Sequence, residues 1–293
     1  MNQIDFLNNI KRQVIIAVLA DDELVDHLVL KGGNLLQFAY GLTTRASKDV
    51  DISVDGDLAD EAFLHDRVKL ILERTLLSKG QVVFDFKLVK KPAQISDDLK
   101  TFWGGYQCEF KIIDKDQYDS AGGLIDRIRR LAHPVDDSGS TKFKIDFSRH
   151  EFCDDKEQFE IDGYTFFGYS PRMFVAEKLR AICQQMPEYA DIVHRNRPAS
   201  SRARDFVDIH TIVNHYGVDF SDPDFHDILR KTFEAKKVPI EWIAKIAETR
   251  DFHEPDFISV MNTVSPSFDL QSFDFYFDDL CERCNSLETL WNV

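Results

Sequence analysis

The sequence predicts an α/β (α+β) protein, with a mixed β-sheet core and an N-terminal helix over residues 1–168 and a helical C-terminal domain over 169–293. Three observations point there. Short segments before residue 168 alternate polar and apolar residues, the period of a half-buried strand. After "YSPRMFVAEKLRAI" the apolar residues fall instead at helical spacing, as at Val175, Leu179, Ile182 and Met186. Between the first strand-like segment and a short helical one lie two adjacent glycines, in "LVLKGGNLLQFAYG".

In chain order, Ile4, Leu7, Ile10, Val14 and Val18 mark an amphipathic first helix. "HLVLKGG" reads as a strand running into a turn. "NLLQFAYGL" reads as a helix closed by Gly41, because glycine suits the left-handed cap. "DVDISV" alternates as a strand. Residues 58–78 form a helix with Leu64, Val68, Ile71, Leu72 and Leu76 on one face. "QVVFDFKLV", "GGYQCEFKII" and "TKFKIDFS" are strands, "GGLIDRIRRLA" a short helix, and residues 158–168 a last strand or hairpin. The rest is helical, broken by "HRNRPASSR" and by proline turns near 223, 239, 255 and 266.

Apolar residues make up 43% of the chain, enough for a core, and 24 of the 293 residues are Phe. The net charge of −15 opposes general coating of a polyanion and leaves room only for a local basic pocket. The start, Met1-Asn2-Gln3-Ile4-Asp5, has no signal-peptide pattern. The longest apolar run, Val14–Ala20, falls far short of the roughly 20 residues that span a bilayer. No membrane association is expected. Five scattered cysteines suit a reducing cytoplasm, and the lone Cys281-x-x-Cys284 pair is weak evidence for metal or redox chemistry.

The chemistry concentrates between residues 28 and 53. Side chains two apart on a strand share a face, so Asp49 and Asp51 point one way while Val50 and Ile52 point to the core. Two carboxylates held together call for a cation, and Mg²⁺ prefers carboxylate and phosphate oxygens. A pair of such ions about 3.5–4 Å apart serves in-line phosphoryl displacement. Asp146, in "KIDF", offers a third carboxylate for a metal cluster. The plain alternative is a set of solvent-facing strand acids. Gly32 and Gly33 shift the balance, since glycine lets backbone approach a phosphate at a helix start.

The string "LKGGNLLQFAYGLTTRASKDVDIS" resembles the G-G/S…DxD motif of the DNA polymerase β-type nucleotidyltransferase superfamily. More specifically, it resembles the AbiEii/AbiGii toxin family, in which LKGG precedes Tyr-Gly and then R-x-S-x-D-h-D. "AEKLRAI" and "RARDFVDIH" resemble that family's AEKL and RDxxD helical motifs. The resemblance covers roughly residues 28–210. Asn34 departs from the Thr or Ser more usual there. The resemblance implies a nucleotidyltransferase fold, with Gly32, Gly33 and Asn34 at the nucleotide and Arg45 and Ser47 near its phosphates. Asp49 and Asp51 would hold Mg²⁺ (or Mn²⁺), with Asp146 in the third-carboxylate position. Lys178 would contact the NTP triphosphate, and Asp205 or Asp208 would lie at the mouth of the site.

For Lys178 the plain alternative is a solvated helical lysine. Arg204 and Asp208, at i,i+4, could form a surface pair, whereas in the functional reading Asp205 or Asp208 orients Lys178 or a substrate hydroxyl. Arg195, Arg197, Arg202 and Arg204 fall within ten residues of an otherwise acidic chain. Arginine forks bind phosphate, so the stretch is a candidate RNA track, with a solvated loop as the alternative. Arg127, Arg129, Arg130, Lys87, Lys90 and Lys91 could extend the same basic face. The expected reaction is Mg²⁺-dependent transfer of a nucleoside monophosphate from an NTP to an acceptor hydroxyl. The resemblance points to a toxin of a toxin–antitoxin or abortive-infection system, with RNA, such as a tRNA 3′ end, as acceptor and a cognate antitoxin as partner. Transfer to a small molecule or protein, and a catalytically inactive nucleotide-sensing or partner-binding module, are the alternatives.

Overall fold

A computed structural model describes residues 3–42, 49–56, 61–136, 139–265 and 268–291. Seven strands form one mixed sheet: β1 (Leu28–Lys31), β2 (Val50–Val54), β3 (Gln81–Lys91), β4 (Gly105–Asp114), β5 (Phe143–Ser148), β6 (Glu157–Ile161) and β7 (Tyr164–Gly168). Their order is β3-β4-β5-β2-β1-β7-β6. The β2–β5 and β1–β7 pairs are parallel and the others antiparallel. The segment 158–168 is thus a hairpin whose second strand joins the sheet.

Two amphipathic helices, α1 (Gln3–Leu19) and α3 (Glu61–Leu77), pack on each other and on the sheet. Leu64, Val68, Leu72 and Leu76 of α3 are fully buried, the stripe its spacing predicts. On β5 burial alternates strictly, with Phe143, Ile145 and Phe147 inside. Asp51 and Asp146, neighbours on the central strands, therefore face away from that apolar layer.

A seven-residue helix, α2 (Gly32–Phe38), follows β1 without a connecting loop. Its C-terminal turn closes through Gly41, whose φ of +66° is the left-handed conformation expected there. Asn34 is fully buried and its Nδ2 donates to the main-chain oxygen of Asp49 at 2.6 Å. This bond pins α2 to the entry of β2.

Two short helices, α4 (Lys115–Ser120) and α5 (Ile125–Arg130), follow β4; beyond β7 the described residues turn helical, with α7 (Tyr189–Ile192), α10 (Arg250–His253) and α11 (Phe257–Met261) as short pieces between longer helices. The helix α6 (Pro171–Cys183) has Ser170 as its N-cap and packs against α8 (Ala203–Tyr216) and α9 (Pro223–Glu234). The helix α12 (Phe273–Cys284) covers α8, where Phe206 stacks among Phe273 and Phe277. Much of the chain's Phe is used here and in the sheet layer. All five cysteines are free, and burial pushes the Cys281 thiol up to about 11 and the Cys284 thiol well above its ordinary value, which keeps both neutral. No helix is long and apolar enough to cross a membrane among the described residues.

Candidate active site

The site is built from one row of cross-strand neighbours. Register places Lys31 on β1 opposite Asp51 on β2, Asp51 opposite Asp146 on β5, and Asp146 opposite Gln107 on β4. Adjacent strands are about 4.8 Å apart, so the four side chains stand shoulder to shoulder. Gln107 is buried and its Nε2 donates to Asp146 Oδ1 at 2.7 Å, which fixes that carboxylate. Burial pushes the Asp51 carboxyl up to about 6; Lys31 offsets part of this and Asp146 adds to it.

Gly32 presses against the same carboxylate. It has φ of +69°, and a Cβ there would lie 2.6 Å from Asp51 Oδ2. The turn thus needs glycine twice, once for its backbone conformation and once for the space taken by Asp51.

Gly32, Asp51 and Asp146 open on a cleft of about 1100 Å³ between the sheet and the helical half. Eight Lys and Arg side chains but only four carboxylates line it, an inversion of the chain's overall charge. One wall comes from the β3–β4 connection, including Ile95, Leu99 and Trp103, and from Tyr106 on β4. The opposite wall comes from α6 and the segment after it, including Lys178, Arg195, Arg197 and Arg202.

Lys178 is not a solvated lysine. Its side chain is 8% exposed, with Nζ 2.6 Å from Asp205 Oδ1 and 3.1 Å from Asp208 Oδ2. Helical periodicity brings both aspartates to one face of α8, and that face meets α6. Asp205 and Asp208 lie behind Lys178 rather than at the mouth of the cleft. Asp208, expected as a surface partner of Arg204, is 1% exposed and takes part in this buried arrangement. Arg202, which was expected on an RNA track, is also bound here: its Nη1 lies 3.1 Å from Asp205 Oδ2, and its main-chain N–H donates to His253 Nδ1 at 2.9 Å. Arg195 reaches the main-chain oxygen of Gln184 at 3.4 Å.

Several expectations need correction. Asn34, expected at the nucleotide, is fully buried and donates to the Asp49 backbone. Asp49 precedes β2 and is absent from the cleft lining, and its charge instead bears on Lys11. Among the described residues no three His, Cys, Asp or Glu side chains stand together as a metal-holding group; the cross-strand pair is Asp51 and Asp146. Of the wider basic face, Lys87, Lys90 and Arg129 pair with Glu109, Glu61 and Asp85, and only Lys91 lines the cleft. Gly33 lies buried inside α2. Arg45 and Ser47 lie outside the described residues.

Sequence reasoning missed Lys31, Gln107, Glu151, Arg180 and Lys236. Lys31 stood in plain view before the glycines. The others carried no spacing signal, because they meet only through strand register and the packing of the two halves.

The paired carboxylates and the cation-lined cleft are the equipment of an enzyme that handles phosphates, and the chain is a nucleotidyltransferase. Residues 14–279 match the family described as nucleotidyl transferase AbiEii toxin, type IV TA system, and the chain belongs to that family. The fold is similar to the crystal structure of JHP933 from Helicobacter pylori, with a TM-score of 0.50 and 15% identity over 99% of this chain and 94% of that one. It is equally similar to a candidate nucleotidyltransferase from H. pylori, at TM-score 0.50 and 15% identity, covering 99% and 97% of the two chains. A comparison with curated proteins finds no match.

Proposed function

We propose that this toxin-family enzyme transfers a nucleoside monophosphate from an NTP to a hydroxyl of RNA, such as a tRNA 3′ end. The observation that carries this reading is the Asp51–Asp146 pair set against Gly32 at the floor of a cationic cleft. The acceptor oxygen bonds to the α-phosphorus, the bond from that phosphorus to the β-phosphate bridge breaks, and pyrophosphate leaves. The hydroxyl proton passes to a neighbouring carboxylate.

The donor set suits a hard divalent ion. Mg²⁺ is commonly held by one or two carboxylates, with waters and substrate phosphates completing the shell. Asp51 and Asp146 would supply two such ligands. Bound Mg²⁺ or Mn²⁺ would neutralise charge developing on the transferred phosphoryl group. The raised Asp51 pKa has the same sense, since a carboxylate that burial destabilises when ionised is one that a cation relieves.

Each side chain then has a task. Gly32 lets the triphosphate approach the backbone. Lys178 presents one ammonium to the triphosphate, with Asp205 and Asp208 fixing its position. Gln107 keeps Asp146 in one rotamer. Arg195 and Arg197 meet the acceptor backbone. Arg202 contributes mainly by holding Asp205. Family membership further supports an antitoxin as the genetic partner.

The test is incubation with each labelled NTP and total RNA, with and without EDTA. Label in RNA that disappears with EDTA supports the reading. Label appearing only in a protein or metabolite pool would move the acceptor to those classes.

A further inference from the structure

The helical half carries a second concave feature, a groove of about 610 Å³ between α11 and the start of α12. It shares no lining residue with the carboxylate-bearing cleft. Phe273 is buried in it, Phe257 and Leu270 are half-buried, and Ile258 and Met261 stand exposed beside them. The three most exposed large apolar side chains among the described residues are Ile258 at 66%, Leu124 at 63% and Met261 at 58%, so two of the three border this groove. Their i,i+3 spacing puts both on one face of α11. Single exposed apolar residues are ordinary, but a contiguous apolar patch rimmed by polar groups marks an interaction surface.

Charge says what fits there. Residues 250–280 contain seven Asp and Glu but a single Lys or Arg, Arg250. That guanidinium is already shared by Asp274 at 2.7 Å, Glu254 at 3.0 Å and Asp251 at 3.4 Å. Glu254 and Asp274 line the groove and no Lys or Arg does, so the rim is negative. Nucleic acid and an anionic membrane surface are repelled from it. A second copy is disfavoured as well, because the whole chain stands at −15. A small apolar molecule would fill the groove and leave Ile258 and Met261 in water. A helix with one apolar face and Lys or Arg flanking it satisfies both the apolar surface and the rim. We propose that this groove docks a basic amphipathic helix of a partner protein. Ile258 and Met261 pack on the apolar face of that helix, and Glu254 and Asp274 pair with its flanking cations.

The probe is a synthetic helical peptide with leucines at i, i+3, i+4 and i+7 and lysines on its other face, titrated into the full chain by calorimetry. Its scrambled isomer, equal in charge and composition, is the control for general attraction to an acidic protein. The patterned peptide should bind one to one, and the scrambled one about tenfold more weakly or worse. Ile258→Ser with Met261→Ser should weaken the patterned peptide about tenfold or more, as truncation of interface anchors does. The Tm of that variant should stay near wild type, because both side chains are exposed. Glu254→Gln with Asp274→Asn should also weaken the peptide and flatten the salt dependence of its binding. Absence of binding, equal affinity for the two peptides, or unchanged affinity in Ile258→Ser with Met261→Ser overturns the docking site. Concentration-dependent sedimentation of wild type that this variant abolishes would overturn it too, and make the groove an interface between copies of the chain.

Discussion

Lys178 on α6 donates to Asp205 on α8 at 2.6 Å, with both side chains below one-tenth exposure. The bond ties together two helices that line or back the cleft, and Asp208 completes the clamp at 3.1 Å. A lysine held this way is pre-positioned, and its ammonium is oriented before any substrate arrives.

Lys178→Met should therefore do two things at once. It removes the ammonium shared by two buried aspartates, and breaking a buried pair from one side costs about 3 kcal/mol or more. It also removes a cation from the cleft. We expect a clear loss in denaturant stability together with weaker NTP binding in calorimetry. A variant with wild-type stability and wild-type NTP affinity would remove Lys178 from both the clamp and the NTP site.

Two glycines separate conformation from contact. Gly41 and Gly32 share a φ near +67°, at +66° and +69°, but a Cβ at Gly41 meets nothing within 4 Å whereas one at Gly32 meets Asp51 Oδ2 at 2.6 Å. Gly41→Ala should cost about 1–2 kcal/mol for the left-handed backbone and leave transfer intact. Gly32→Ala should cost more and abolish transfer. Equal effects of the two substitutions on activity would dissociate the turn from the carboxylate.

Much of this arrangement was legible in the sequence. Alternation in "DVDIS" and "KIDFS" fixed which residues face the core, and the glycine pair marked the turn. What alternation cannot give is strand neighbours. Asp51 meets Asp146 only because β2 and β5 pair in parallel across a long connection, a register set by the packed core and not by either segment. Spacing alone favoured Asp49 as the partner of Asp51. Periodicity likewise put Asp205 and Asp208 on one face of α8 but could not say that Lys178 would occupy it. Glu151 lies in a connection without period, so its meeting with Lys31, Arg180 and Lys236 had no signal at all.

His253 links acid stability to the site. It is fully buried, its Nδ1 accepts the Arg202 N–H, and its Nε2 has no hydrogen-bond partner among the described residues. Burial lowers its pKa from 6.5 to about 4, with Asp205 opposing and Arg202 assisting. As pH falls, the unfolded chain takes up the proton first. The stability due to neutral His253 is thus fully present above about pH 6.5 and is lost as pH drops through about 4, by about 3 kcal/mol in total. Denaturation of His253→Gln at pH 7.5, 6 and 5 should show a flatter pH dependence than wild type. Parallel curves would remove His253 as the source.

The arginine segment makes a salt-dependence prediction. Arg202 is excluded because its substitution would loosen Asp205. Arg195→Gln with Arg197→Gln should raise the KM for RNA and reduce the log–log salt slope by about 1.4, at about 0.7 per phosphate contact on a single strand. The Tm should change by little. An unchanged slope would make the segment a connector that happens to border the cleft.

The most direct measurement is transfer of label from an α-labelled NTP to RNA by wild type, Asp51→Asn, Asp146→Asn and the Asp49→Ala/Asp51→Ala pair, each checked for folding by thermal melting without metal. Removing like charges from Asp51 and Asp146 should hold or raise the metal-free Tm, since burial disfavours ionised Asp51. The account predicts EDTA-sensitive labelling by wild type and none by any of the three folded variants. Wild-type rates of labelling in folded Asp51→Asn or Asp146→Asn would contradict it.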